Sequence, residues 1–325
     1  MSNMKKLNVF LTIDTELWLL YNDFEKDFDS AIYGKTPQGD FGVTHQLETF
    51  AEYGLNATFF VEPLFTLQYG KKPLQQLIEK INSYDQEVGL HIHTEWFNTT
   101  GAHILDNKKL GQNIKDYSEA EQTSIIKVGL ELLEEAGAKK ITSFRAGNYG
   151  GDFNTLKALH NNNLLYDTSY NVPYLNNICN MDTGINLQDA TKMEEVVEYP
   201  VTYFKDYGEH KRHLQLTACS LSEIKHVLTQ AYQQQRHSCT IVLHSFEWIK
   251  RIRKNQFRDH TVDKVCLKRF HKLCKFLSEN KDKFTTQKFE NINLKGVDMD
   301  IQHNEIKSNL CRTSARMLEQ LVRRV

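Results

Sequence analysis

The sequence predicts an α/β fold built on a mostly parallel sheet or barrel. Three observations carry that expectation. Short apolar runs alternate with stretches of helical periodicity, the order that parallel strands joined by crossover helices require. Several runs are continuously apolar, as strands covered on both faces are. Residues suited to chemistry (Asp14, His93, Arg145, Asp167 and His244) fall at or near the carboxyl ends of five separate runs, where such folds gather function.

In chain order the strand candidates are 7–14, 56–62, 87–93, 142–146, 165–169, 196–203, 214–217 and 239–246. Helical spacing marks 44–53, 73–83, 119–136, 154–161, 222–235 and 263–280 between them. In 119–136, Ile125, Val128, Leu132 and Leu133 recur on one face, and Gly137 offers a C-cap. Ser220 or Ser222 offers an N-cap to the helix beginning near Glu223. The first apolar run, LNVFLTI, soon reaches Asp14 and Glu16, so it suits a strand better than a signal peptide. No apolar stretch reaches the ~18–20 residues of a membrane-spanning helix.

After about residue 293 the alternation stops, and 304–325 has helical spacing with Ile306, Leu310, Met317, Leu321 and Val325 roughly on one face. The expected organisation is a barrel over 1–293 and a helical extension over 294–325. That extension is expected to pack on the barrel or on a partner subunit as a homo-oligomer contact. Its Arg312, Arg316, Arg323 and Arg324 also suit peripheral contact with an anionic membrane, the less favoured expectation. A net charge of −1 over 325 residues gives no global pull toward nucleic acid. Five prolines and 16 glycines argue against long disordered linkers. Six cysteines without a CxxC pair fit reduced thiols in a cytoplasmic protein.

Two acid and histidine pairs stand out. His91, His93 and Glu95 in GLHIHTEW share one strand face, as do Asp14 and Glu16 in LTIDTE. Paired imidazoles and carboxylates at the ends of neighbouring strands suit a metal such as zinc, with a second carboxylate free to act as a base. The competing readings are an N-cap plus a surface acid, and strand-end histidines satisfied by ordinary hydrogen bonds. Trp96 and Phe97 could wall a sugar ring, although core packing explains them equally. Arg145 in SFRAGNYGG needs an acidic partner, for which Asp14 is suited; the glycines match no nucleotide-binding fingerprint. An aspartate such as Asp167 beside His244 would fix one imidazole tautomer, an arrangement suited to a general acid. Ser245 lies in no nucleophile elbow. His45, His103, His160 and His271 are assigned to the surface.

In this order the segments resemble the NodB-homology polysaccharide deacetylases, a carbohydrate esterase family with five short motifs along a distorted (β/α) barrel, usually of seven strands. The acidic pair resembles the first motif in Leu11–Glu16, and the histidine pair the second in Gly89–Glu95. Arg145–Gly150 resembles the third, Asp167–Ser169 the fourth and Leu243–Ser245 the fifth. The likeness spans roughly residues 7–250, and the ordered set of five gives it specificity. It implies a base on Asp14, a metal held by Glu16, His91 and His93, a supporting Arg145, and a general acid on His244 oriented by Asp167. Trp96, Tyr149 and Glu95 are the expected substrate contacts, with Glu95 a reserve ligand. The chain departs from the family in three places. Its histidines lie closer together, Glu16 replaces the commoner aspartate, and Leu243 directly precedes His244.

The resemblance implies a metal-dependent hydrolase, zinc foremost, that removes an N-acetyl group from an acetamido sugar. Without the family's usual export signal, the expected substrate is a cytosolic precursor or oligosaccharide in surface glycan biosynthesis. The competing readings are a non-catalytic carbohydrate-binding protein on the same scaffold and another amide hydrolase. A glycosidase is disfavoured because the acid position holds a histidine, not a second carboxylate.

Overall fold

The computed structural model describes residues 4–17, 23–97, 111–251, 260–295, 297–299 and 301–324. His103 and Val325 therefore lie outside the described residues.

The first strand, β1 (Leu7–Thr15), is followed by helices α1 (Phe24–Ala31) and α2 (Val43–Tyr53). Then come β2 (Thr58–Val61), α3 (Lys72–Ser83), β3 (Glu87–Ile92), α4 (Glu119–Glu135), β4 (Ser143–Ala146), α5 (Phe153–Asn161), β5 (Tyr166–Asp167) and β6 (Val196–Glu198). The chain continues with α6 (Leu221–Gln233), β7 (Ser238–His244), α7 (Lys264–Glu279), β8 (Phe284–Thr286) and α8 (Leu310–Arg324). Strands β7, β1, β2, β3, β4, β5 and β6 pair in that order, all parallel. Strand β8 pairs with the first residues of β1.

The sheet curls, and the chain after β6 reaches back to β7. Val201 bridges Thr240, and Gln215 bridges Val242, both in parallel. The seam is irregular where the sequence predicts strands over 196–203 and 214–217. Pro200 interrupts the first of these, since it has no N–H for the ladder. The second holds to β7 through Leu216 N–H to the Val242 carbonyl (3.2 Å) and Val242 N–H to the Leu214 carbonyl (3.0 Å).

Alternation along β1 sorts its residues between two environments. Val9, Leu11 and Ile13 join the main core under the helices, while Phe10 joins Phe60, Tyr166, Val197, Tyr199 and Phe289 in a separate cluster inside the barrel. Phe10 and Phe289 stack at 4.5 Å. Above this apolar floor, Thr12 and Asp14 face the same interior. Gly89 is required beside Phe60, because a Cβ there would lie 2.6 Å from the Phe60 ring.

The helices follow the expected signals. Ser118 and Glu121 form a capping box on α4, and Ser220, rather than Ser222, forms one with Glu223 on α6. Helix α1 carries no long apolar stripe and is missed from sequence; Asp23 caps it, and it buries Phe28 and Ala31. His45 and His271 are half-buried and bonded to each other (3.1 Å), whereas His160 is exposed as expected. Five cysteines are buried and Cys311 is exposed, all free. No described helix is long and apolar enough to cross a membrane.

The tail packs on the barrel, but by its polar face. Helix α8 begins at Leu310 and turns its polar face inward: Thr313 and Arg316 are buried, and Gln320 and Arg323 bond the barrel. Of the predicted apolar face, Ile306 is buried in the core, but Leu310, Met317 and Leu321 point outward beside Leu318 and Val322, so the apolar stripe of α8 is not what packs on the barrel. Buried ion pairs of Arg316 with Asp206 and Glu223 hold the helix instead.

Candidate active site

The barrel's carboxyl end opens into a cleft lined by Asp14, Glu16, His91, His93 and His244, with Tyr149 and Tyr174 on one wall. Register explains the convergence. Asp14 is the direct partner of His244 across β1 and β7, and His91 that of Arg145 across β3 and β4.

Arg145 is wholly buried beneath the cleft and makes four hydrogen bonds. Its Nη1 donates to Asp14 Oδ1 (2.5 Å), Nη2 to the Thr12 and Thr168 hydroxyls (2.8 and 3.2 Å), and Nε to the Thr168 carbonyl (3.2 Å). The Phe60 ring supports the guanidinium from 4.7 Å. The charge-assisted bond fixes one Asp14 oxygen. Oδ2 remains 4.0 Å from His244 Nε2.

His91 Nδ1 lies 2.8 Å from the Arg145 carbonyl, which can only accept, so Nδ1 carries a proton. In the neutral ring Nε2 is then a lone pair, 3.2 Å from Glu16 Oε2. His93 repeats the pattern: Nδ1 faces Glu95 Oε2 (3.3 Å), and Nε2 contacts Glu16 Oε2. Two lone pairs and a carboxylate thus point at one another, with donor atoms within 4.8 Å. Such a set needs a proton or a cation between its members. Burial opposes a charged His93, yet the Glu16 and Glu95 carboxylates hold its pKa well above the usual value. Burial likewise opposes an ionised Glu16, but His93 and His91 hold it well below the carboxylate range. Two imidazoles and one carboxylate, with both outer nitrogens engaged, fit a divalent cation such as zinc. Among the described residues this is the one group of at least three such side chains close enough to do so.

His244 is oriented by Glu247, not by Asp167. Glu247 Oε2 accepts from His244 Nδ1 (2.8 Å) and from the His244 N–H (3.1 Å), and Oε1 accepts from the Thr217 N–H (2.8 Å). These bonds and the His244 charge hold buried Glu247 below the usual carboxylate range, although burial opposes it. Burial also opposes charge on His244, but the Glu247 bond and charge raise its pKa to about 9. Asp167 fails the expected role because of strand parity. Tyr166 faces the barrel interior and Thr168 bonds Arg145, so Asp167 between them turns outward. There it accepts from the Ser169 hydroxyl (2.6 Å) and meets Glu198, its cross-strand partner. Burial, the Asp167 charge and the bond to Asp167 all hold Glu198 well above the usual range, so Glu198 is the protonated member.

Two expected substrate contacts are also corrected. Trp96 is buried in the core near Phe65 and Tyr69 (6.3 and 6.2 Å) and is no cleft wall. Glu95 stands behind His93 and accepts from Asn148 Nδ2 (2.9 Å), so it supports the ligand set from outside. Tyr149 does line the cleft, stacked on Tyr174 at 5.5 Å, with His213 5.6 Å beyond. Asn148 and Tyr149 both sit at positive φ (55° and 62°), an uncommon backbone held at the cleft. Gly147 permits it, since a Cβ there would lie 2.8 Å from the His93 ring. Sequence reasoning missed Glu247, Asn148 and Tyr174. Only Glu247 carried a signal, an acid three residues after a strand-end histidine.

No protein-family model matches the sequence, and no curated protein matches it. Solved structures of low identity are similar over most of the chain. A Mycobacterium smegmatis protein described as a polysaccharide deacetylase shares 18% identity over 90% of this chain and 97% of its own, with a TM-score of 0.49. A family 4 carbohydrate esterase from Streptomyces lividans, solved with acetate, shares 10% over 88% and 93%, with a TM-score of 0.43. A family 4 pseudoenzyme from Bacillus anthracis shares 12% over 87% and 64%, with a TM-score of 0.44.

Proposed function

We propose that the chain is a metal-dependent hydrolase that removes the N-acetyl group from an acetamido sugar. The observation that carries this reading is the convergence of His91, His93 and Glu16 acceptors within 4.8 Å of one another, beside Asp14 and His244.

Glu16, His91 and His93 are the residues that would hold the cation, zinc foremost. When bound, it polarises the amide carbonyl and acidifies a water molecule. Asp14 uses Oδ2 to take the proton of the attacking water, while Arg145 fixes its other oxygen. His244 presents Nε2 to the cleft and gives its proton to the departing nitrogen, with Nδ1 held by Glu247. Water adds to the acyl carbon, the C–N bond breaks, and acetate and a free amino sugar leave. The Tyr149–Tyr174 stack offers a flat apolar wall for the sugar ring.

The test is acetate release by chelated and zinc-reloaded protein from N-acetylated monosaccharides, oligosaccharides and nucleotide-linked sugars. Activity should require added metal and disappear in Asp14→Asn and His91→Ala. Binding of these sugars without acetate release would instead support a carbohydrate-binding protein. Full metal-dependent activity in both variants would overturn the site assignment.

A further inference from the structure

We propose that the C-terminal helix α8 positions His244, acting through the backbone at Leu216–Thr217 and the Glu247 carboxylate; this rests on His244 being the general acid proposed above. The starting point is Glu247. Besides the His244 bonds to Oε2, its other oxygen takes the Thr217 N–H at 2.8 Å, its shortest contact, with Gln215 Nε2 at 3.4 Å from both oxygens. The backbone at 216–217 therefore holds the Oε1 end of Glu247.

That backbone lies in the irregular seam of the barrel, without a regular strand partner on its outer side. Helices α7 and α8 supply the missing bonds. The Leu216 carbonyl belongs to the same peptide group as the Thr217 N–H. It accepts from Arg269 Nη1 (2.5 Å), and Arg269 Nη2 pairs with Glu319 of α8 (2.7 Å). This peptide thus has a cation at its oxygen and a carboxylate at its hydrogen, an order in which each bond polarises the next. The Thr217 carbonyl accepts twice from α8, from Gln320 Nε2 and Arg323 Nη1, both at 2.7 Å. Arg323 is itself fixed through Nε to Asp263 (2.6 Å), the N-cap of α7.

The orientation of α8 agrees with this role. A helix that docks to bury apolar surface turns its apolar stripe inward. Here the inward face is Thr313, Arg316, Gln320 and Arg323, and the apolar residues face out. Directional bonds, which specify position more sharply than apolar contact does, hold the helix against the seam. Glu319, Gln320 and Arg323 are positioning residues that never reach the cleft.

The experiment combines Gln320→Leu and Arg323→Met and measures kcat and KM of the zinc-loaded enzyme, alone and with Glu247→Gln. In parallel, proton–nitrogen spectra of histidine-labelled protein follow the bonded His244 Nδ1–H. The pair should lower kcat about tenfold, since small misplacements of a catalytic group are costly, while KM stays within about twofold. In the Glu247→Gln background the same pair should change kcat by less than about twofold, because the link is already cut. Arg323→Lys, which retains a donor, should recover part of the rate. Met317→Ser, on the outward face, should leave kcat unchanged. If the double variant does not fold, Gln320→Leu alone leaves the ion pairs intact and should show the same pattern at smaller size. Equal losses in both backgrounds would overturn the proposal. If the wild type releases no acetate, the proposed function falls, and the spectrum still decides this inference. A shifted or lost His244 Nδ1–H in the double variant supports it, and an unchanged one overturns it.

Discussion

Glu247 accepts the Nδ1 proton of His244 at 2.8 Å, from three residues further along the same chain turn. That bond leaves Nε2 as the nitrogen facing the cleft. It also gives Glu247 the orienting role that the sequence assigns to Asp167.

Glu247→Gln should therefore lower kcat by ~10²–10⁴, the range of a general acid held in the wrong tautomer. KM should change little. Asp167→Asn should leave kcat within a few-fold and lower thermal stability instead. Steady-state acetate release and a melting curve on each variant check both expectations. A collapse of kcat in Asp167→Asn with normal melting would contradict the parity argument.

Metal should stabilise the fold as well as activate it. A ligand that binds only the native state adds about 2.7 kcal/mol at a hundredfold excess over its Kd. Zinc added to chelated protein should raise the melting temperature, and His91→Ala should abolish most of that rise. The measurement needs no substrate, so it tests the Glu16, His91 and His93 set independently of the reaction.

The buried Asp167–Glu198 pair should make stability fall as pH rises. Burial and Asp167 raise the folded pKa of Glu198 well above the usual carboxylate value of 4.5. The native state thus holds a proton that the unfolded chain releases. The stabilisation is complete below the unfolded value and is lost progressively from about pH 4.5 upward, at up to ~1.4 kcal/mol per unit. Glu198→Gln keeps a donor for Asp167 and an acceptor for the Tyr170 N–H. Denaturant titrations between pH 5 and pH 9 should show a flatter slope for this variant, and an unchanged slope would count against the protonated Glu198.

Gly89→Ala should destabilise by about 1–3 kcal/mol, the usual cost of overpacking a filled interior. The added methyl meets the Phe60 ring at 2.6 Å and Ser143 Oγ at 2.8 Å. A second substitution, Phe60→Leu, should recover part of the loss in a double-mutant cycle read by denaturation.

Much of this architecture is legible in the chain because it depends on local pattern. Continuous apolar runs locate β1, β3 and β7, helical spacing locates α2 to α7, and strand ends carry Asp14, His91, Arg145 and His244. Other features lie beyond local pattern. Helix α1 has too few apolar residues to show a stripe, and Pro200 ends β6 early within an otherwise strand-like run. Trp96 has the composition of a sugar platform, yet the chain turns after Ile92 and carries it into the core.

The sequence by itself determined which residue types stand at the strand ends, since strand alternation is a property of covalent geometry. Only the tertiary structure decided their partners. Asp167 lost His244 to Glu247 because β5 turns it outward, and α8 docked by its arginines because buried acids at Asp206, Glu223 and Asp263 awaited them. Partner choice depends on the curvature of the barrel and on charges distant in sequence, and no local period encodes either.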